Sequence, residues 1–249
     1  MKYLIGDIGN TQTKLCILNH KFKIIKKINF NTGKIGNKKY LKKILTSLVK
    51  QNVNKKSLFS SVVPSSFTII KKNLKKYFDI NVYELKKTNY SKIIKINVNK
   101  KQIGSDRIAN SIGAHYIYKS NCIVLDFGTA TTFDVIIRGK YIGGIIAPGV
   151  GLSLSMLSKK ADQIPLFTLK KTSKIIGSNT ISALRSGFYW GYIGLIKNIL
   201  QLIKSETKKN YKIILTGGYS ALFKKSIGSK TLIDQDITMK GLSRLIKLK

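Results

Sequence analysis

The chain has 249 residues, with 46 Lys+Arg against 10 Asp+Glu, a formal net charge of +36 and a hydrophobic share of 43 %. That length suits one or two domains, and that hydrophobic share supplies a core, which excludes a disordered chain. Two cysteines (Cys16, Cys122) and two histidines (His20, His115) exclude a disulfide framework and a Cys/His zinc site, and they suit a reducing, cytoplasmic setting.

Residues 1–18 carry Asp7 and Lys14 and read as a strand and turn, so no cleavable signal is expected. Residues 3–9 (YLIGDIG) form an apolar strand that ends in Asp-Ile-Gly, and strands over 14–18 and 24–30 follow it. Helical spacing appears over 38–49 and 66–77, with a short apolar strand, FSSVVP, over 59–64 between them. A helix is expected over 105–118 with Ser105 as its N-cap, and the domain boundary is set there, giving domains 1–117 and 118–249. Residues 122–128 (CIVLDFG) repeat the first strand, and strands over 132–137 and 141–146 complete a second meander. Gly143-Gly144-x-x-x-Pro148-Gly149 follows, as a backbone wall of a substrate pocket or a bulged turn. The uncharged run 141–158 is broken by these glycines and Pro148, so no membrane span is expected. The longest helix candidate covers 180–203, capped by Asn179 or Thr180, with Gly187, Gly191 and Gly194 on a small face suited to close backbone contact. A strand over 212–216 runs into Gly217-Gly218, and a helix over 237–246 closes the chain.

The repeat is the informative feature. At a constant offset of 119, Asp7 matches Asp126, Gly9 matches Gly128 and Thr13 matches Thr132. In such a turn glycine admits a phosphate close to the backbone, N–H groups and Thr or Asn side chains donate to its oxygens, and the Asp can hold a bridging cation. One copy would fit a plain hairpin. Two copies point to a nucleotide held between related domains. No GxxxxGK[ST] loop occurs and no GxGxxG follows a strand, so the ordinary Walker and Rossmann sites are excluded.

The scarce acids and arginines add to this. Asp106 lies in Gly104-Ser105-Asp106-Arg107 at an expected helix start, where the helix dipole favours the ionised carboxylate. It suits a base that accepts a hydroxyl proton, or a simple dipole partner. Only four of the basic residues are Arg (Arg107, Arg138, Arg185, Arg244). Arg107 beside Asp106 therefore suggests a planar fork for a substrate carboxylate, or a structural ion pair. The remaining basic residues are lysines scattered in pairs. They read as solvated surface rather than as a nucleic-acid stripe, since base readers favour Arg.

These motifs together resemble the type III pantothenate kinases, the family that also contains the Bvg accessory factor. Asp7-x-Gly-Asn-Thr-x-x-Lys14 is similar to the family's first phosphate motif and Asp126-Phe-Gly-Thr-Ala-Thr-Thr-Phe-Asp134 to its second. Phe59–Pro64, Gly104–Arg107, Gly143–Gly149, Asn179-Thr180, Thr216–Gly218 and Ile237–Leu242 also match in order. The resemblance implies an α/β fold of two ribonuclease-H-like domains with a central cleft, in the acetate and sugar kinase/Hsp70/actin superfamily. It implies ATP-dependent phosphorylation of pantothenate to 4'-phosphopantothenate, the first step of coenzyme A biosynthesis, in a cytoplasmic homodimer without membrane or nucleic-acid partners. On matching positions, Asp106 is the catalytic base. Gly104, Ser105, Arg107 and Thr180 join it in binding pantothenate. Asp7, Gly9, Asn10, Thr11, Lys14, Gly128, Thr129 and Gly217 bind ATP. Asp126 holds a monovalent cation, K+ or NH4+, and Asp7 orients Mg2+ directly or through water. The chain departs from the family at Asn97, where a Tyr is usual; Tyr90 is the candidate substitute. The alternative is a non-catalytic regulatory or nucleic-acid-binding member of the same fold.

Overall fold

The computed structural model describes residues 1–49 and 52–248, which form two compact units. The first holds Met1–Lys119, Arg138–Ile142 and the segment from Asp236 onwards; the second holds Ser120–Ile137 and Gly143–Gln235. The chain thus changes unit between Lys119 and Ser120, and the last part of the expected second domain packs with the first unit.

The first unit opens with the meander β1 (Tyr3–Ile8), β2 (Gln12–Leu18) and β3 (Ile24–Asn31). α1 (Lys38–Leu48), β4 (Lys56–Ser61), α2 (Pro64–Phe78) and β5 (Asn81–Glu84) follow, then the two-residue β6 (Lys95–Ile96) and α3 (Ser105–Tyr118). Its sheet has the order β3-β2-β1-β4-β5, antiparallel across the meander and parallel at β1/β4 and β4/β5. Alternation in β1 and β2 turns Leu4, Ile8, Leu15 and Ile17 onto Leu41, Leu45, Ile70 and Leu74 of α1 and α2. Each such buried side chain contributes about 1.5–3 kcal/mol. α2 begins earlier than its apolar spacing predicts because Pro64 fits the first helical position, where no N–H is needed.

The second unit repeats the plan with β7 (Cys122–Phe127), β8 (Ala130–Ile137) and β9 (Lys140–Pro148), the first residues of β9 belonging to the first unit. α4 (Val150–Lys160), α5 (Thr180–Thr207), β10 (Lys212–Gly217), α6 (Ser220–Ile227) and β11 (Leu232–Ile233) follow, in a six-stranded sheet ordered β11-β10-β7-β8-β9-β6. α7 (Ile237–Ile246) returns to the first unit and crosses α3. The crossing is tight: a Cβ on Gly241 would strike the Ala109 carbonyl, and one on Gly113 the Ile237 carbonyl. Beside it the buried Asn110 amide oxygen accepts the Thr238 hydroxyl at 2.6 Å.

Asn179 caps α5 in a capping box with Ser182, as its position predicts. Ser105 does not cap α3. Gly104 is the N-cap residue, no side chain caps it, and Ser105 is the first helical residue, buried, with its hydroxyl lacking a hydrogen-bond partner among the described residues. The side chain that turns back to the backbone there is Asp106, whose Oδ1 accepts the Arg107 N–H at 2.8 Å. An ionised carboxylate is a stronger acceptor than a hydroxyl for a helix-end N–H. On the small face of α5, which permits a close backbone or helix contact, nothing among the described residues would meet a Cβ on Gly187, Gly191 or Gly194.

Candidate active site

Strand pairing sets the two Asp-Gly turns. In the first unit Asp7 of β1 lies opposite Lys14 of β2 on one side and Ser60 of β4 on the other. In the second, Asp126 of β7 lies opposite Thr132 of β8 and Thr216 of β10. Residues paired across neighbouring strands share a sheet face. Each unit therefore presents one row of polar side chains with an aspartate at its centre. Beyond each row the chain turns at Gly9-Asn10-Thr11 and at Gly128-Thr129, and Asn10, Thr11, Gly128 and Thr129 are exposed.

The register corrects one expected match. The first turn closes with Gly9 N–H donating to Gln12 O at 3.0 Å, and the second with Gly128 N–H donating to Ala130 O at 3.1 Å, so the second loop is one residue shorter. Thr13 lies opposite Ile8, and its counterpart opposite Phe127 is Thr131 rather than Thr132. Both are fully buried; Thr13 hydrogen-bonds Thr32 at 2.9 Å, and Thr32 in turn donates to the Gly9 carbonyl at 2.7 Å, which ties the segment just after β3 to the turn. The counterpart of Thr132 is Lys14, a difference of charge that a fixed offset hides.

In the first unit Lys14 Nζ stands 3.8 Å from Asp236 Oδ1, while Lys27 Nζ sits 2.8 Å from the same oxygen. Burial, aided by Asp236, pushes the Cys16 thiol beside this group up to about 12, so it is a packed thiol and no nucleophile. Gly104, Ser105, Asp106 and Arg107 lie together at the start of α3. Burial raises the Asp106 carboxyl above the usual carboxylate range, against the opposing pull of the Arg107 N–H and charge. The Arg107 guanidinium lies 5.8 Å from the ring centroid of Tyr141 in β9. Asn97 donates its N–H to the Tyr141 carbonyl at 3.0 Å, whereas the Tyr90 carbonyl closes a separate turn with Ile93 and Ile94.

In the second unit Gly217 has φ +83°, and a Cβ there would lie 2.7 Å from Asp126 Oδ1 and 2.5 Å from the Phe127 carbonyl oxygen. Carboxylate and carbonyl oxygens thus converge on one bare patch of backbone. Gly149, the residue before α4, packs against the Thr129 and Gly128 carbonyls, which makes Pro148-Gly149 the buttress of the turn and not a free loop. Thr180 is exposed at the start of α5 and lines a groove with Pro148, Leu184, Phe188 and Tyr192. The sequence reading has Ser60 and Thr216 only inside matching motifs, Gly149 in one that reads as a pocket wall or bulged turn, and Tyr141 only as a strand residue. Register with the aspartates marks Ser60 and Thr216, but register is visible only once the strands are paired.

The family model for type III pantothenate kinase matches residues 3–202. A type III pantothenate kinase of Pelagibacter ubique is 55% identical over 98% of this chain and 98% of that one. Among solved structures, a Campylobacter jejuni protein described as a Baf family transcriptional activator superposes with TM-score 0.62 at 21% identity, covering 98% of each chain. A Sinorhizobium meliloti protein described as a 2-dehydro-3-deoxygalactonokinase gives 0.63 at 9% identity, covering 99% of this chain and 98% of that one. These two likenesses speak for the fold alone, a mixed α/β architecture with two sheets. The family match and the 55% relative decide the rest: the chain belongs to the type III pantothenate kinase family.

Proposed function

We propose a division of labour among these residues for the family's reaction. The chain is a kinase that transfers a phosphoryl group from ATP to pantothenate, giving 4'-phosphopantothenate, the first step towards coenzyme A. The two aspartate rows carry the assignment. The Gly9–Thr11 and Gly128–Thr129 turns offer backbone N–H groups and side-chain donors to the phosphates of ATP, with Lys14 supplying positive charge and Gly217 a close backbone approach. Asp106 accepts the proton of the pantothenate hydroxyl, and Arg107 forks onto its carboxylate. Gly104, Ser105 and Thr180 complete the substrate contacts.

Two cations fit the oxygen chemistry. Asp7 pairs in register with Ser60 of β4, whose buried hydroxyl has no hydrogen-bond partner among the described residues; hard oxygen donors of this kind suit Mg2+, held directly or through water. Asp126 Oδ1 and the Phe127 carbonyl converge beside Gly217 and suit a monovalent cation, K+ or NH4+. Such ions supply neutralisation of phosphate charge.

A second copy of the chain is the proposed partner. The α5 groove is open at Gly187 and Gly191, and Leu166 and Ile176 are 81% and 86% exposed in the same unit. No helix among the described residues is long and apolar enough to cross a membrane, and a cytoplasmic location is proposed with the substrates found there. The lysines are solvated surface rather than a nucleic-acid site.

The test is product formation followed by mass spectrometry in potassium and in sodium. Pantothenate-dependent 4'-phosphopantothenate is expected, fast in potassium and poor in sodium, with Asp126→Ala losing both the dependence and most activity. Equal rates in the two salts would remove the cation from Asp126, and no product in either would remove the proposed function.

A further inference from the structure

We infer that Tyr141 is a positioning residue for pantothenate binding, its buried ring fixing the plane in which the Arg107 guanidinium meets the substrate carboxylate. The inference rests on the proposed role of Arg107. Arginine's fork recognises a carboxylate by two parallel hydrogen bonds, which demands a defined plane, while its long side chain has several free torsions. An aromatic face within about 6 Å of the cation restricts those torsions, since the guanidinium is drawn to the ring quadrupole. Tyr141 meets this condition, with 5.8 Å from the guanidinium carbon to the ring centroid.

The ring itself is held firmly. Tyr141 is 2% exposed, and its strand is pinned by parallel pairing with Ile96 of β6 and by the Asn97 N–H on its carbonyl. Lys95 N–H adds a bond to the Gly139 carbonyl just before it. The short strand β6 buries little itself, yet it clamps the backbone that carries this ring. Arg107 stands in the first turn of α3, two residues after its start, so one partner of the pair is fixed by a helix and the other by a sheet.

The experiment measures KM for each substrate and kcat in four proteins: wild type, Tyr141→Leu, Arg107→Lys and the double variant. Tyr141→Leu should raise the pantothenate KM about tenfold, equivalent to ~1.4 kcal/mol, with the ATP KM and kcat nearly unchanged. In the Arg107→Lys background the same change should add little, because the fork it positions is gone. Tyr141→Phe should behave as wild type, and stepwise fluorination of that Phe ring should raise the pantothenate KM in step, since fluorine drains the ring quadrupole at almost constant shape. This series decides the matter even if Tyr141→Leu does not fold. A flat fluorination series, equal effects on both substrates, or full additivity with Arg107→Lys would overturn the inference while leaving Arg107 in its role. An unchanged pantothenate KM in Arg107→Lys would overturn the role of Arg107 and the inference with it.

Discussion

Asp106 illustrates how one residue can be kept at a cost to the fold. Burial raises its folded carboxyl pKa above that of the unfolded chain. Between those two values the folded state binds more protons, so stability falls as pH rises through that window, and above it the ionised carboxylate remains a standing cost. Asp106→Asn removes the charge and can still accept the Arg107 N–H. Its melting temperature at neutral pH should therefore exceed that of the wild type, with the difference vanishing in acid below the unfolded carboxyl pKa. Scanning calorimetry across pH checks this; a variant less stable than wild type at neutral pH would mean that the local hydrogen bonds outweigh burial. The same raised carboxyl should place the acid limb of the wild-type rate profile above the usual Asp range. Sequence pointed to Asp106 and Arg107 because acids and arginines are scarce in this chain, but it could not show that Ser105 is buried as the first helical residue or that Tyr141 lies against the guanidinium.

At the scale of elements, the legible parts were those with a strong local period or a strong cap. The apolar strands ending in Asp-x-Gly, a cap at Asn179 or Thr180 and the helix over 237–246 were all visible from the sequence, and the structure puts the cap on Asn179. α4 was not, because its sequence VGLSLSMLSKK alternates apolar and serine with the period of a strand, and it is the packing of Val150 and Leu154 that makes it a helix. β5, β6 and β11 are too short to carry a period at all. The single-residue difference between the two Asp-Gly loops moved the Thr13 match by one, since a slip of one residue in a strand changes every partner. The α3–α7 crossing was hidden for another reason: its two glycines, Gly113 and Gly241, are far apart in sequence and mean something only together. Gly241→Ala should cost about 1–3 kcal/mol, the usual penalty of overpacking, because the Ala109 carbonyl stands where the new methyl group must go. Denaturant titration measures it, and a variant within error of wild type would show that the two helices separate freely.

For the whole molecule the net charge of +36 outweighs every other electrostatic feature. Like charges scattered over a surface repel, and a compact state bears more of that repulsion than an open one. Raising ionic strength from about 0.01 M to about 0.15 M shortens the screening length from ~30 Å to ~8 Å. The melting temperature should rise over that range, measured in tetramethylammonium chloride so that the cation proposed at Asp126 does not contribute; a fall would mean that ion pairs such as Lys27–Asp236 outweigh the repulsion. The charge also draws anionic substrates such as ATP and pantothenate towards the protein, so the substrate KM values should rise with salt. None of this decides catalysis, for which Asp106 is the proposed base. The most direct test is ADP release coupled to pantothenate by wild type and Asp106→Asn side by side, with pantothenate binding followed by calorimetry. The expected result is pantothenate-dependent release in the wild type and a loss of about 10²–10⁴-fold in the variant, with pantothenate still bound. A variant that keeps more than about half of the wild-type turnover, far from the contribution of a general base, would contradict the account.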